Sequence, residues 1–435
     1  MKIFISGITG TGMGPLALMA KNAGMDVCGS DLQRGAIYDE LVKAGIRVHI
    51  GEQDGEFLES ELEGLDWFVH TSALPEGHPE LVLARKTGVK CTKRDDFTAF
   101  LVGKLGLKMV AVVGTHGKTT TTAMIVWACL KLGLPVAYIV GTTLGFAPSG
   151  AYHPGDKYFV YEADEYDRNF LKYHPWLAVV TTVSYDHPDI YSSREDYEAA
   201  FSQFVGQSER VIVGDDGFGE FVGNDGEKIG RRMFRAEDFR LAGEVRRADA
   251  ALAADAVYAI QFAEFMDQGM IVDYNFAEVS QILDEFPGVG RRFERLADGV
   301  YTDYAHHPEE IAATIEVARE QAELEGRKGV VVVYQPHQNT RQHEVRDGYR
   351  EAFLGAEKVF WLPTYLTREN SELPILTAEE LILGLLNSQD AEAVELTDEL
   401  FERILEWRDG GYLVVLMTAG PADGWLREKL QSVRK

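Results

Sequence analysis

The chain is poor in cysteine, in positive charge and in long apolar runs. Its three cysteines, Cys28, Cys91 and Cys129, are odd in number and far apart. That excludes a disulfide framework and a cysteine zinc site, and it suits a reducing compartment in which each packs as a small apolar side chain. The 43 Lys and Arg residues stand against 69 Asp and Glu, a net charge of −26. Such a balance argues against nucleic acid or an anionic membrane as partner. An anionic ligand would need positive potential built locally, from backbone N–H groups, a few cations and metal ions. No apolar run approaches membrane-spanning length. The first one breaks at Gly7, before a signal-peptide core is reached. A cytoplasmic protein is expected. Repeats, low-complexity tracts and disordered tails are also missing. What is there is 46% hydrophobic and 26% charged over 435 residues, enough for two or three globular domains with their own cores.

The most informative stretch is MVAVVGTHGKTTTT, residues 109 to 122. An apolar strand stops at Gly114, Thr115 and His116 follow, and Gly117-Lys118-Thr119-Thr120 opens a helix-like pattern. This predicts a strand, a phosphate loop and a helix. Glycines let backbone N–H groups turn toward phosphate oxygens, and the helix N-terminus adds partial positive charge. Lys118 would reach the terminal phosphates and the Thr119 hydroxyl would bind Mg²⁺. The gap between Gly114 and Gly117 is shorter than in the general pattern.

The chain begins with a strand at 2 to 6, a glycine-rich turn from Gly7 to Gly14, a helix to Ala23 and a second strand from Asp26. Gly12-x-Gly14-x-x-Ala17 fits a dinucleotide fingerprint, with Asp31 placed to meet a ribose hydroxyl. Strands at 48 to 50 and 67 to 70 follow, the second running into a small-residue loop at Ser72. Residues 80 to 101 are expected to be mostly helical. After the phosphate loop, strands at 136 to 140, 157 to 161, 177 to 183 and 210 to 213 are expected. Two of them deliver Glu162-Ala163-Asp164-Glu165-Tyr166-Asp167 and Asp186-His187, oxygen and nitrogen donors suited to a divalent cation. Residues 248 to 265 read as a helix and 270 to 280 as an alternating strand. Pro287-Gly288-Val289-Gly290 is a natural hinge. Beyond it, strands at 299 to 302, 329 to 334, 358 to 362 and 412 to 417 predict a parallel sheet. The fold class expected is α/β in three domains: a Rossmann-like domain at 1–106, a central P-loop ATPase-like domain at 107–288, and a second Rossmann-like domain at 289–435.

These residues resemble the Mur ligase family, ATP-dependent amide-forming enzymes of peptidoglycan synthesis, over nearly the whole chain. Its phosphate loops have the short GTxGKTT spacing. The ordered set also includes Glu162-Ala163-Asp164-Glu165, Asp186-His187, Gly288-Val289-Gly290-Arg291-Arg292-Phe293, Asp303-Tyr304-Ala305-His306-His307-Pro308 and Gln335-Pro336-His337 with Thr340-Arg341. The set is most similar to the branch that couples L-alanine to UDP-N-acetylmuramate. The resemblance implies that Gly10, Thr11, Gly12 and Met13 with Ser72 hold the UDP-sugar. It implies that the residues from Gly114 to Thr120 hold ATP, with Arg292 and Asp303 reaching the nucleotide. Thr119, Glu162 and His187 would be ligands of Mg²⁺, with Mn²⁺ as the alternative metal. His307 would serve catalysis, and His337 and Arg341 would place the amino acid. Two departures stand out. Arg246 and Asp249 occupy the positions of an asparagine pair that holds adenine in relatives, and Gln338 replaces an arginine.

The implied chemistry brings anion to anion. A carboxylate attacks the γ-phosphate of ATP, an acyl phosphate forms, and the amine of L-alanine displaces phosphate. Lys118 and divalent cations screen the approach. One of the paired histidines, or a carboxylate, would take the amine's proton. Closure about the hinge would keep water from the acyl phosphate. A monomer or weak homodimer is expected. The competing readings are a ligase of the same family that recycles murein peptides, an impaired relative that binds UDP-sugar and ATP without turnover, and an NAD-dependent oxidoreductase suggested by the N-terminal glycines alone.

Overall fold

The computed structural model describes residues 1–71, 74–184, 190–214, 232–269, 275–367, 369–370 and 372–433. The chain divides into two compact units, residues 1–240 with 245–286 and residues 241–244 with 287–435. Among the described residues the strands form three sheets, two in the first unit and one in the second.

The first sheet contains β1 (Lys2–Ser6), β2 (Asp26–Asp31), β3 (Arg47–Ile50), β4 (Leu65–His70) and β5 (Lys90–Lys93). Its order is β3-β2-β1-β4-β5 and every pairing is parallel. The strand order reverses between β1 and β4, which puts the glycine-rich turn after β1 at the crevice where such sheets take ligands. The helix Gly14–Asn22 follows that turn with Pro15 in its first turn, where a missing N–H costs nothing. The stretch expected to be mostly helical is two helices, Pro79–Thr87 and Arg94–Leu105, with β5 between them.

The second sheet contains β6 (Lys108–Val113), β7 (Val136–Ile139), β8 (Gly150–Ala151), β9 (Tyr158–Glu162), β10 (Leu177–Val180) and β11 (Val211–Val213). Its order is β11-β10-β6-β9-β7-β8. β6 is central and buried on both faces, which is why it reads as an unbroken apolar run. The short β8 pairs antiparallel with β7 and packs on the helix Gly14–Asn22, where a Cβ on Gly150 would run into the Pro15 carbonyl. One apolar core joins both sheets, from Ile3 and Phe97 to Val113, Phe159 and Phe201. The strand expected at 270 to 280 is corrected in its second half. Phe276–Asp284 is a helix, because the Asn275 side chain caps it by accepting from Glu278 N at 3.2 Å. Residues 270 to 274 lie outside the described residues.

The third sheet contains β12 (Glu294–Ala297), β13 (Val300–Asp303), β14 (Val330–Gln335), β15 (Lys358–Trp361), β16 (Ala391–Ala393) and β17 (Leu413–Thr418). Its order is β12-β13-β17-β14-β15-β16. It is mixed rather than wholly parallel: β12 and β13 form an antiparallel hairpin. Asp298-Gly299 turns the chain there, with Gly299 at φ 65°, and Asp-Gly is a strong hairpin signal.

Candidate active site

The phosphate loop is fixed by the strand end beside it. Thr115 N donates to Thr182 O at 2.8 Å and His116 N to Thr182 Oγ1 at 3.0 Å. Thr115 Oγ1 donates to Ser184 O at 2.8 Å. Gly114 at φ 139° and Gly117 at φ 80° take conformations that favour glycine, and a Cβ on Gly114 would sit 2.7 Å from Thr182 O. The helix Lys118–Lys131 starts directly after Gly117, so its first N–H groups and its positive end face the loop. Thr120 lies half-buried in its first turn.

Lys118 is held on three oxygens. Its Nζ donates to Gly114 O at 2.5 Å, to Thr115 O at 3.3 Å and to Glu165 Oε1 at 2.8 Å. Glu165 is 1% exposed. Burial pushes its carboxyl above the usual range, against the pull of Lys118. Thr119 Oγ1 lies 3.1 and 2.9 Å from the two carboxylate oxygens of Glu162. Asp249 lies against the loop from the helix Glu244–Asp267. A Cβ on Gly117 would run into its carboxylate, and Thr121 Oγ1 donates to its Oδ1 at 3.1 Å. Burial pushes the Asp249 carboxyl up to about 7, opposed by the Thr121 hydrogen bond and the charge of Arg246.

The glycine-rich turn after β1 is anchored through Asp31, which ends β2. Its Oδ2 accepts from Thr9 N at 3.0 Å and Thr9 Oγ1 at 2.7 Å. Thr11 and Gly10 are at the surface of the turn, whereas Met13 is buried in the apolar core. A cavity of about 220 Å³ opens between this turn and the phosphate loop, lined by Thr11, Gly12, Arg94, Thr119, Glu162 and Asp164 among others. Two loops that sequence reading assigned to two different phosphate groups thus face one space.

The donor set in that cavity fits Mg²⁺. A hydroxyl and a carboxylate are already in contact, both hard oxygen ligands, and Asp164 adds a second carboxylate to the wall. Among the described residues no group of three His, Cys, Asp or Glu gathers to cage a metal. Mg²⁺ is commonly held by one or two carboxylates plus substrate phosphates. Ser72, Asp186 and His187 lie outside the described residues.

In the second unit Asp303, at the end of β13, is a structural anchor. Its Oδ2 accepts from Phe293 N at 2.7 Å, and its Oδ1 from Ala305 N at 2.8 Å and Thr314 Oγ1 at 3.3 Å. Burial raises its carboxyl, while the Ala305 N–H and the Arg292 charge pull it down. These bonds pin a corner in which Arg291 at φ 59° and Phe293 at φ 47° are left-handed. Arg291 and Arg292 both stand over the Tyr304 ring, at 4.6 and 5.4 Å.

His337, just beyond β14, meets Tyr365 in a stacked pair at 5.8 Å and His306 edge-on at 6.1 Å. Arg341 Nη1 lies 3.5 Å from His337 Nδ1. Burial lowers the pKa of both histidines, and the Arg341 charge adds to that on His337. His306 is therefore the member of the paired histidines that joins this cluster. His307 caps the helix Pro308–Leu324 with its backbone, donating N–H to Glu310 Oε2 at 3.2 Å, and its side chain is exposed.

Arg94 and Tyr365 were not singled out from sequence, and Glu165, Asp249 and His306 were named there without these partners. For Arg94 a signal existed: it directly follows β5, and ligand positions cluster at the carboxyl ends of parallel strands. The short polar β5, Lys-Cys-Thr-Lys, hid it.

Comparison with known proteins gives a consistent result. The model described as Mur ligase family, catalytic domain, matches residues 2–104. The Mur ligase middle domain matches 112–249, and the Mur ligase, glutamate ligase domain, matches 291–420. A UDP-N-acetylmuramate–L-alanine ligase of Symbiobacterium thermophilum is 33% identical over 481 residues, covering 99% of this chain and 95% of its own. The enzyme of that name from Mycobacterium ulcerans is 34% identical, covering 85% and 82%. Two solved structures share the fold. The UDP-N-acetylmuramate-alanine ligase of Thermotoga maritima has a TM-score of 0.75 at 24% identity, with both chains covered in full. A murein peptide ligase of Psychrobacter arcticus has 0.63 at 22%, covering 100% of this chain and 98% of its own.

Proposed function

This chain belongs to the Mur ligase family, and we propose that it is the ligase that joins L-alanine to the carboxylate of UDP-N-acetylmuramate, turning ATP into ADP and phosphate. The observation that carries the reading is the cavity in which Thr11 and Gly12 face Thr119 and Glu162. A sugar-linked diphosphate on the first loop and a triphosphate on the second would share that space, where a carboxylate can meet a γ-phosphate. The reaction sits in the cytoplasm, where reduced cysteines and both nucleotides are at hand.

Lys118 exchanges Glu165 for the triphosphate and offsets its charge, with the helix N-terminus behind it. Thr119 and Glu162 would hold Mg²⁺, which supplies positive charge to screen the approach of carboxylate to phosphate. Arg341 and His337 take the carboxylate and the body of L-alanine in the C-terminal domain. His306 and His337, whose pKa burial lowers, are the side chains of this cluster that could accept the amine's proton. Asp249 sets the floor of the phosphate loop.

The test is release of phosphate that requires UDP-N-acetylmuramate and L-alanine together, with the amide product identified by mass. Lys118→Ala should lower turnover by at least about a hundredfold. An amino acid and peptide panel decides the alternative: turnover with a free tripeptide and none with L-alanine would make this a peptide-recycling ligase.

A further inference from the structure

Arg94 is a cation that the reaction above leaves unassigned. It opens the helix Arg94–Leu105 directly after β5. Its Nε and Nη2 lie 3.3 and 3.2 Å from Asp95 Oδ1. Asp95 is itself 2% exposed and accepts from Tyr161 OH and Tyr173 OH, both at 3.0 Å. Tyr161 comes from β9 and Tyr173 from the segment after it, so one buried carboxylate ties the helix of the first sheet to the second sheet and orients the guanidinium. The third nitrogen, Nη1, faces the glycine-rich turn. A Cβ on Gly12 would stand 2.6 Å from it, so the absence of a side chain at residue 12 makes room for Arg94. The cavity wall gathers this fork with Thr11, Gly12, Thr119, Glu162 and Asp164.

We infer that Arg94 grips the reacting carboxylate of the sugar substrate. The inference rests on the ligase reading. Glu162 would hold Mg²⁺ and Lys118 is committed to the phosphate loop, which leaves Arg94 as the one cationic side chain among the described residues that line the cavity. A planar guanidinium matches a carboxylate in two-point contact, which fixes the orientation of the attacking oxygen as well as its charge. Asp95 keeps the fork from swinging, so little freedom is lost on binding.

The experiment measures the affinity of wild type, Arg94→Ala and Arg94→Lys for two probes. UDP-N-acetylmuramate carries the carboxylate; UDP-N-acetylglucosamine has the same diphosphate and ring without it. Arg94→Ala should reduce the preference for the first probe over the second about tenfold to a hundredfold, with ATP affinity retained as the check on folding. Arg94→Lys, which keeps the charge but not the fork, should fall between. Equal weakening of both probes would assign Arg94 to the diphosphate and overturn the inference, as would an unchanged preference in either variant. If Arg94→Ala does not fold, the preference of Arg94→Lys decides alone. A wild-type protein that binds neither UDP-sugar would instead sink the ligase reading, a separate result read before any variant.

Discussion

Asp249→Asn offers a test of how the phosphate loop is built. The carboxyl lies 6% exposed under Gly117 and Thr121. Burial moves it from 3.8 to about 7, against the Thr121 hydrogen bond and the Arg246 charge. In the unfolded chain it loses its proton near pH 3.8; in the folded chain it keeps it until about pH 7. Between those values the unfolded state binds fewer protons, so stability falls as pH rises through the window and levels off above it. The shift, at about 1.4 kcal/mol per pH unit, corresponds to about 4 kcal/mol. Local relaxation and water entry reduce that figure, so a gap of about 1 to 4 kcal/mol is expected. Asparagine keeps the shape and does not titrate. Urea melts of both proteins, followed by tryptophan fluorescence, should nearly coincide at about pH 4 and separate by about pH 8, with the Asp249→Asn variant the more stable of the two. Parallel stability curves across that range, or a variant less stable throughout, would refute the argument that a buried, desolvated carboxyl supports the loop.

Gly150→Ala places a methyl against the Pro15 carbonyl, a backbone group that cannot step aside. It should cost about 1 to 3 kcal/mol in thermal unfolding and raise KM for the UDP-sugar, because the displaced helix begins at the glycine-rich turn. Arg341→Ala should raise KM for L-alanine about tenfold or more with UDP-sugar affinity unchanged. An NMR titration should show the His337 pKa moving up once the neighbouring positive charge is gone.

The strands that organise the site were legible because parallel strands buried on both faces leave unbroken apolar runs. Lys-Met-Val-Ala-Val-Val of β6 and Val-Val-Val-Val-Tyr-Gln of β14 are such runs. Edge strands leave no such mark: Lys-Cys-Thr-Lys of β5 is short and largely polar, and Ala-Glu-Ala of β16 is only three residues long. The alternation from residue 270 misled, since Phe276, Val279 and Leu283 follow helical spacing once Asn275 caps the chain. The β12–β13 hairpin carried its Asp-Gly signal openly, but the parallel pattern of the strands around it masked the reversal. Within the site, Lys118 and Thr119 could be read because a phosphate loop is local in sequence. Their partners could not. Glu165 is 47 residues from Lys118, and Asp249 is 128 residues from Thr121; such pairings exist only once the sheets are assembled.

That assembly also answers how a chain of net charge −26 can handle polyanions. Two cations of the site rest on carboxylates that are nearly inaccessible, Lys118 on Glu165 and Arg94 on Asp95, exposed by 1% and 2%. Such pairs contribute little to stability, because taking the carboxylate out of water offsets much of what its attraction to the cation returns. Their use lies in geometry. A lysine without a partner would sample many rotamers and lose that freedom when phosphate arrived, whereas one seated on Gly114 O, Thr115 O and Glu165 is already poised at the loop. Glu165, whose carboxyl burial pushes above its usual range, would on the proposed reading yield Lys118 to a triphosphate. Asp95 is different. The Tyr161 and Tyr173 hydroxyls bind it as well, so it keeps its place when Arg94 engages an anion. On the proposed reading one cation would be released and the other would stay fixed, the division of labour needed when one reactant must be gripped while the other is brought in line with it.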